Sequence, residues 1–285
     1  MWGLQEGRPS NGEDQKGYEV RDLKLTAIEC KDHWQKVRDF HDAAAGEYRT
    51  RRYRGDTCEG LAYITRKEIV LGMADAVPGR VLDLGCGPGI LIEDLLRSGH
   101  SVYSADLSME MIEQARREAN RGANGQGVHF VVGDASRICF TGNQMDVVLS
   151  IGLMCYVKDH GAVLSEMHRV LKPGGFVILQ VNNIRWPALY RMFVPLYHYI
   201  KARITSKDYK GLDFEFNFSS SKRFLKDLTD TRFTILDVEY YDFRIPFLDV
   251  LLPRLSVGLG RFLFRKRHLR VCQWLAHGLV IKAGK

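Results

Sequence analysis

The sequence predicts an α/β fold, a mostly parallel sheet with helices on both faces, on three observations. Apolar segments of strand length alternate with helical patterns from Arg80 to Val181, and right-handed crossovers turn such alternation into parallel strands. The run Val81-Leu82-Asp83-Leu84 suits a central strand covered on both faces and passes straight into the glycine-spaced turn Gly85-Cys86-Gly87-Pro88-Gly89. A last apolar segment, Leu275 to Ile281, supplies a strand that closes the sheet.

The stretch Met1 to Val20 is polar and glycine-bearing, and residues 1–24 are expected to form a flexible tail. It holds neither a basic start nor an apolar run of signal-peptide length, so a cytoplasmic protein is expected. Asp32 to Arg54 reads as a basic, aromatic-containing helical region. Behind the glycine turn, Leu91, Ile92, Leu95 and Leu96 give the segment Ile90 to Arg97 an apolar stripe, and Gly99 suits the position just past its end. A second strand covers His100 to Ala105, and Ser108 caps the helix Met109 to Asn120. Third and fourth strands cover Val128 to Val132 and Met145 to Ile151. The helix Asp159 to Leu171 has Asp159 as its cap and Val163, Leu164, Met167, Val170 and Leu171 on one face. After Asn183 the rhythm breaks, and residues 184–218 read as an insertion, far longer than a median connection of roughly 4 to 6 residues. Ser219-Ser220-Ser221 then caps the helix Lys222 to Leu228, and Thr231 to Tyr240 reads as a sixth strand. The expected organisation is one domain over 25–285, with the insertion and a basic apolar segment at 245–272.

At 285 residues, with 45% hydrophobic and 26% charged residues, the chain can bury one large core. The six cysteines, Cys30, Cys58, Cys86, Cys139, Cys155 and Cys272, show no C-x-x-C spacing. They are expected to be reduced, mostly buried thiols, and no metal site is expected.

Three glycines at alternate positions let a backbone approach a ligand closely. A nicotinamide-type loop needs G-x-G-x-x-G, and Ile90 stands where its third glycine belongs. Asp83-x-Gly85-x-Gly87-x-Gly89 instead resembles motif I of the class I S-adenosylmethionine-dependent methyltransferases. Four further features fall in that family's order. Asp106, with Leu107, ends the second strand, where an acid reaches ribose hydroxyls. Gly133-Asp134-Ala135 follows the third strand and is similar to the family's adenine-binding turn. Arg169-Val170-Leu171-Lys172-Pro173-Gly174-Gly175-Phe176 resembles its approach to the fifth strand, and Tyr48 resembles an N-terminal tyrosine that closes over the cofactor.

The resemblance implies a Rossmann-like fold with a seven-stranded, mostly parallel sheet and S-adenosyl-L-methionine as cofactor. The expected cofactor-binding set is Tyr48, Asp83, Gly85, Cys86, Gly87, Gly89, Asp106, Leu107, Asp134, Ala135, Ser150 and Ile151. The implied activity is methyl transfer to a small-molecule or lipid-linked acceptor, with oxygen as the first reading. Nitrogen or carbon acceptors, RNA, and non-catalytic cofactor binding are the alternatives.

The acceptor side is less legible. Where ubiquinone-biosynthesis O-methyltransferases carry an acid and a histidine before a valine, this chain has Cys155 and Tyr156 before Val157. Tyr156 and His160 are therefore the catalytic candidates, with His198 a further histidine in reach of a proton-transfer role. No carboxylate cluster near Asp146 supports a metal-assisted mechanism, and no N-P-P-Y-like tetrad follows the fourth strand. Trp186, Tyr190, Phe193, Tyr197 and Ile200 recur at helical spacing, with Pro195 at an expected kink. They read either as ordinary packing or as a lid on the acceptor.

Charge is uneven. From Arg185 to the last residue there are 19 Lys+Arg against 9 Asp+Glu, and from Val250 onward no acid at all. Phe247 to Leu255 and Phe262 to Arg270 mix apolar residues with basic ones, and no run reaches the roughly 20 apolar residues of a membrane span. The candidate partners of this segment are an anionic membrane surface at the inner face, solvent alone, or RNA, with nucleic acid the least expected.

Overall fold

The computed structural model describes residues 32–74, 78–123, 126–183, 196–197, 200, 203, 217, 221–245 and 247–285. Seven strands form one sheet: β1 Arg80–Leu84, β2 Ser101–Asp106, β3 Val128–Val132, β4 Met145–Ser150, β5 Leu171–Asn182, β6 Thr234–Tyr241 and β7 Gly278–Gly284. Their order across the sheet is β3-β2-β1-β4-β5-β7-β6. The first five are mutually parallel, and β7 runs antiparallel between β5 and β6. The order reverses beside β1, so the crevice past the carboxyl ends of β1 and β4 is where an open α/β sheet binds its ligand.

Period-2 alternation divides the core into two faces. Leu82, Leu84, Val148, Leu179 and Ile281 pack on one side with helices His160–Val170 and Ser221–Asp230. Val81, Val147, Leu149, Ile178 and Val280 pack on the other with helices Cys58–Ala74, Ile92–Arg97 and Met109–Ala123. Residues buried on both faces explain why the central strands read as continuous apolar runs. Asp159 caps its helix by accepting from the Ala162 N–H at 3.1 Å, and Gly99 turns the chain out of the preceding helix at φ 82°.

Several boundaries differ from expectation. The helix behind the glycine turn starts at Ile92, because Ile90 and Leu91 still belong to the turn. β6 starts at Thr234: Thr231 bonds back to the preceding helix, and Arg232 holds φ 68°. β7 starts at Gly278, because the apolar run is split by a helix, Arg270–Leu275, that buries Cys272. The cysteines are less buried than expected. Cys86 and Cys272 are buried, Cys58 and Cys155 half-buried and Cys139 exposed, all five free thiols. Cys30, residues 1–24, Trp186, Tyr190, Phe193, Pro195 and His198 lie outside the described residues, as does most of the insertion 184–218.

Candidate active site

The three glycines of the turn do different things. Gly85 and Cys86 donate from their N–H groups to the Ala105 carbonyl at 2.8 and 3.1 Å, which pins the turn to the end of β2. Gly89 holds φ 76°, and a Cβ there would lie 2.7 Å from Ile92 Cδ1 and 3.0 Å from Ala115 Cβ, so it serves helix packing. Gly87 also has positive φ, 54°, but a Cβ there would meet nothing within 4 Å. It is the glycine whose face is open to a ligand.

Asp106 ties this turn to the next helix: one carboxylate oxygen accepts from Gly87 N at 2.9 Å and the other from Ser108 N at 2.9 Å. Ser108 caps that helix by accepting from Met111 N at 3.0 Å, and its hydroxyl donates to Asp42 on the helix over residues 32–44. Asp83 is 2% exposed. Burial, reinforced by the charge of Asp106, pushes its carboxyl up to about 7. A buried acid beside the half-buried Asp106 leaves a site that favours a cation. Asp134 folds the turn after β3 by accepting from Ser136 N at 2.8 Å. Ser150 is fully buried at the end of β4, and its hydroxyl has no hydrogen-bond partner among the described residues.

The side chains of Cys86 and Ala135 are buried. Burial holds the Cys86 thiol well above its ordinary range. Leu107 and Ile151 are half-buried beside the crevice.

The N-terminal helices build an aromatic and cationic cap. Tyr48 opens the short helix Tyr48–Arg52 and meets Tyr63 edge-on at 6.5 Å, while Tyr53 meets the same ring at 5.3 Å. The Arg52 guanidinium donates to the Tyr63 hydroxyl at 2.7 Å and lies over the Tyr48 ring. Burial holds the Tyr48 phenol neutral, well above its ordinary pKa.

Sequence reasoning missed Arg66. It is 8% exposed, lies 4.5 Å from the Tyr63 ring centroid and donates to Gln180 Oε1 at 3.3 Å. No carboxylate pairs with it among the described residues. Burial raises the Tyr53 phenol, which feels the charges of both Arg66 and Asp83. A buried cation held by an amide and an aromatic ring is unmarked in the sequence because Arg66 lies in an ordinary helix, Cys58–Ala74.

The two catalytic candidates are held differently from what their sequence position suggests. Tyr156 packs its ring edge-on against His41 at 4.9 Å, and burial holds its phenol well above the ordinary tyrosine range. His160 is buried, with one ring nitrogen against the Met154 carbonyl at 3.0 Å and the other 3.7 Å from Asp227, and it stacks edge-on with Phe224. Asn217 reaches the same ring at 3.3 Å and donates to the Val157 carbonyl at 2.8 Å, so this histidine fastens the loop after β4. His41 is the imidazole within the cap. Burial, then Arg52, lowers its pKa to about 4. Burial likewise pushes the Cys155 thiol up to about 12.

A cleft of about 530 Å³ lies between the helices Tyr48–Arg52 and Cys58–Ala74 and Ile90, lined by Arg49, Tyr53, Lys67, Glu68 and Leu71 among others; Asp83, Gly87, Asp106 and Arg66 do not line it. Residues 82–179, which contain the turn, both acids and β4, match a family described as the methyltransferase domain. That match covers about a third of the chain.

Similarity concentrates on this domain. A ubiquinone biosynthesis O-methyltransferase of Bartonella bacilliformis is 29% identical over 132 residues, 44% of this chain and 52% of that protein. A ubiquinone/menaquinone biosynthesis C-methyltransferase of Desulfotalea psychrophila is 36% identical over 141 residues, 46% of this chain and 56% of that protein. The chain spans about half the length of these curated relatives. Among solved structures, magnesium protoporphyrin IX methyltransferase from Synechocystis PCC 6803 with bound S-adenosylhomocysteine superposes at TM-score 0.60 and 17% identity, over 89% of this chain and 99% of that one. The 1,6-didemethyltoxoflavin-N1-methyltransferase of Burkholderia thailandensis gives 0.57 and 18%, over 90% and 89%. These likenesses establish the Rossmann-like fold across nearly the whole chain, beyond the residues of the methyltransferase domain itself.

Proposed function

We propose that the chain transfers a methyl group from S-adenosylmethionine to a small-molecule or lipid-linked acceptor, with oxygen as the accepting atom. The observation that carries the reading is the open glycine Gly87, held by Asp106 beside the buried acid Asp83 at the end of β1. It joins an open backbone and two acids, the chemistry that suits a ligand bearing ribose hydroxyls and an ammonium.

When bound, S-adenosylmethionine supplies a methyl group already activated on a sulfonium. Asp83 would hold its ammonium and Arg66 its carboxylate, each opposite charge replacing lost solvent. Asp106 would accept from the ribose hydroxyls and Asp134 from the adenine amino group. The orphaned Ser150 hydroxyl is a further polar contact. The cap of Tyr48, Tyr53 and Tyr63 excludes water and holds the acceptor in line. His41, neutral above about pH 4, is available to take the proton of a hydroxyl acceptor.

A carbon acceptor is the second reading, favoured by the C-methyltransferase among the relatives. Calorimetric binding of S-adenosylhomocysteine with no binding of NAD tests the donor. Mass spectrometry of products from a panel of phenols and quinols then separates O- from C-methylation. Tight NAD binding, or no binding of S-adenosylhomocysteine, overturns the assignment.

A further inference from the structure

The surface between β6 and β7 differs from the rest of the molecule. Helices Leu248–Leu251, Pro253–Arg265 and Arg270–Leu275 leave Leu251, Leu252, Leu255, Phe262, Val271 and Trp274 between 51% and 70% exposed. In the middle helix the inward face is Ser256, Val257, Gly260 and Phe264. Gly260 lets it close on Leu61 of the helix Cys58–Ala74, where a Cβ would stand 3.1 Å from Leu61 Cδ2. The outward face is Arg254, Leu255, Gly258, Arg261, Phe262 and Arg265, apolar and basic residues interleaved.

Folding corrects the apolar set expected from sequence. Phe264 and Val257 belong to the core, and Arg267 is paired with Glu239 at 2.8 Å. Arg254, Arg265, Lys266 and Arg270 are exposed and have no acidic partner among the described residues. No helix among the described residues is long and apolar enough to cross a membrane.

We infer that this outward face docks on an anionic bilayer, its leucines and Phe262 entering the interface and its free basic residues meeting lipid phosphates. Charge complementarity selects this occupant. A solvated basic face does not explain the large exposed apolar side chains, and a nucleic-acid groove does not use leucines set between the arginines. A span of this length lies along a surface, with the apolar side chains reaching the acyl boundary. The docking helix packs on the same helix, Cys58–Ala74, that carries Tyr63 and Arg66 of the cap. An apolar acceptor leaving the bilayer would thus enter beside the crevice. The docking claim goes beyond the proposed reaction and is measured without turnover.

The test is cosedimentation of the full chain with vesicles of phosphatidylcholine alone or mixed with phosphatidylglycerol, at low and high salt. The wild type is compared with Arg265→Glu/Lys266→Glu and with Leu255→Asn/Phe262→Asn. Binding is expected on the mixed vesicles only, weakened by salt. Each charge near such a surface contributes about a fivefold change in partition, so the charge variant should lose at least tenfold. The apolar variant should lose a comparable amount. S-adenosylhomocysteine binding by both variants shows that they are folded and tests the proposed reaction separately. Equal supernatant recovery with every vesicle overturns the inference. So does equal binding to neutral vesicles, or binding to poly(U) that rivals the mixed vesicles and ignores the Leu255/Phe262 change.

Discussion

The crevice above β1 and β2 and the helical face at 248–275 are both charged, yet they handle charge in opposite ways. At the crevice the charges are buried or half-buried and tied to neighbours: Asp106 to two backbone N–H groups, Arg66 to Gln180, and the Asp83 carboxyl raised by burial. On the C-terminal face the basic residues are exposed, mostly unpaired, and interleaved with apolar side chains that found no core. The contrast teaches how to separate a preorganised ligand site from a docking surface. The first holds buried polar groups in fixed geometry at a cost in stability, and the second leaves surface unsatisfied until a partner arrives.

The largest effect expected from breaking the crevice is on Gly89. Gly89→Leu forces a side chain at positive φ against Ile92 and Ala115 and should destabilise the fold by about 3 kcal/mol or more, read from urea unfolding. Gly87→Ala should lower stability by only about 1 kcal/mol, because its Cβ meets nothing, yet cut S-adenosylhomocysteine affinity at least tenfold. An unchanged affinity would separate the open glycine from the donor site.

Asp106→Ala removes hydrogen bonds to a charged acceptor and should weaken donor binding by on the order of 1.5 to 3 kcal/mol in calorimetry. Asp83 gives a pH signature. Its carboxyl is raised to about 7 in the folded chain against an ordinary 3.8, so the folded state holds the proton more tightly. Stability from this group is greatest at acid pH and is lost as pH rises from about 4 to about 7. Asp83→Asn should flatten that part of the melting-temperature profile. Binding of an ammonium beside Asp83 favours the ionised form, so near pH 6 binding should release a proton, seen as an enthalpy that changes with the buffer's ionisation heat. A buffer-independent enthalpy would remove Asp83 from the donor's cationic end.

The histidines sharpen the acceptor side. His160→Gln should lower the melting temperature with donor affinity intact, since its ring fastens the loop after β4. His41→Gln should lower kcat with little change in donor affinity, and the wild-type rate should show no imidazole inflection between about pH 5.5 and 8. The smallest effect belongs to the other region. Arg265→Glu/Lys266→Glu should leave unfolding free energy within about 0.5 kcal/mol of wild type, because both residues are exposed and neither has an acidic partner among the described residues. A larger loss would move that face from docking surface to structural support.

Period and punctuation alone identified the alternation of strands and helices, the caps Ser108 and Asp159, the glycine turn and the two acids at the strand ends. Those features are local: a turn needs its glycines and a strand its apolar run whatever surrounds them. Only tertiary structure assigned Gly87 and Gly89 different roles, because that depends on whether Ala115, distant in sequence, stands over the Cβ position. Only packing could show that His160 ties a loop, that burial raises the Tyr156 phenol, and that Arg66 reaches Gln180 of β5. No spacing records a contact between residues brought together by separate helices and strands. The C-terminal face follows the same rule. Its composition is written in the sequence, but which apolar residues remain outside was decided when Val257 and Phe264 took the core and left Leu255 and Phe262 to the surface.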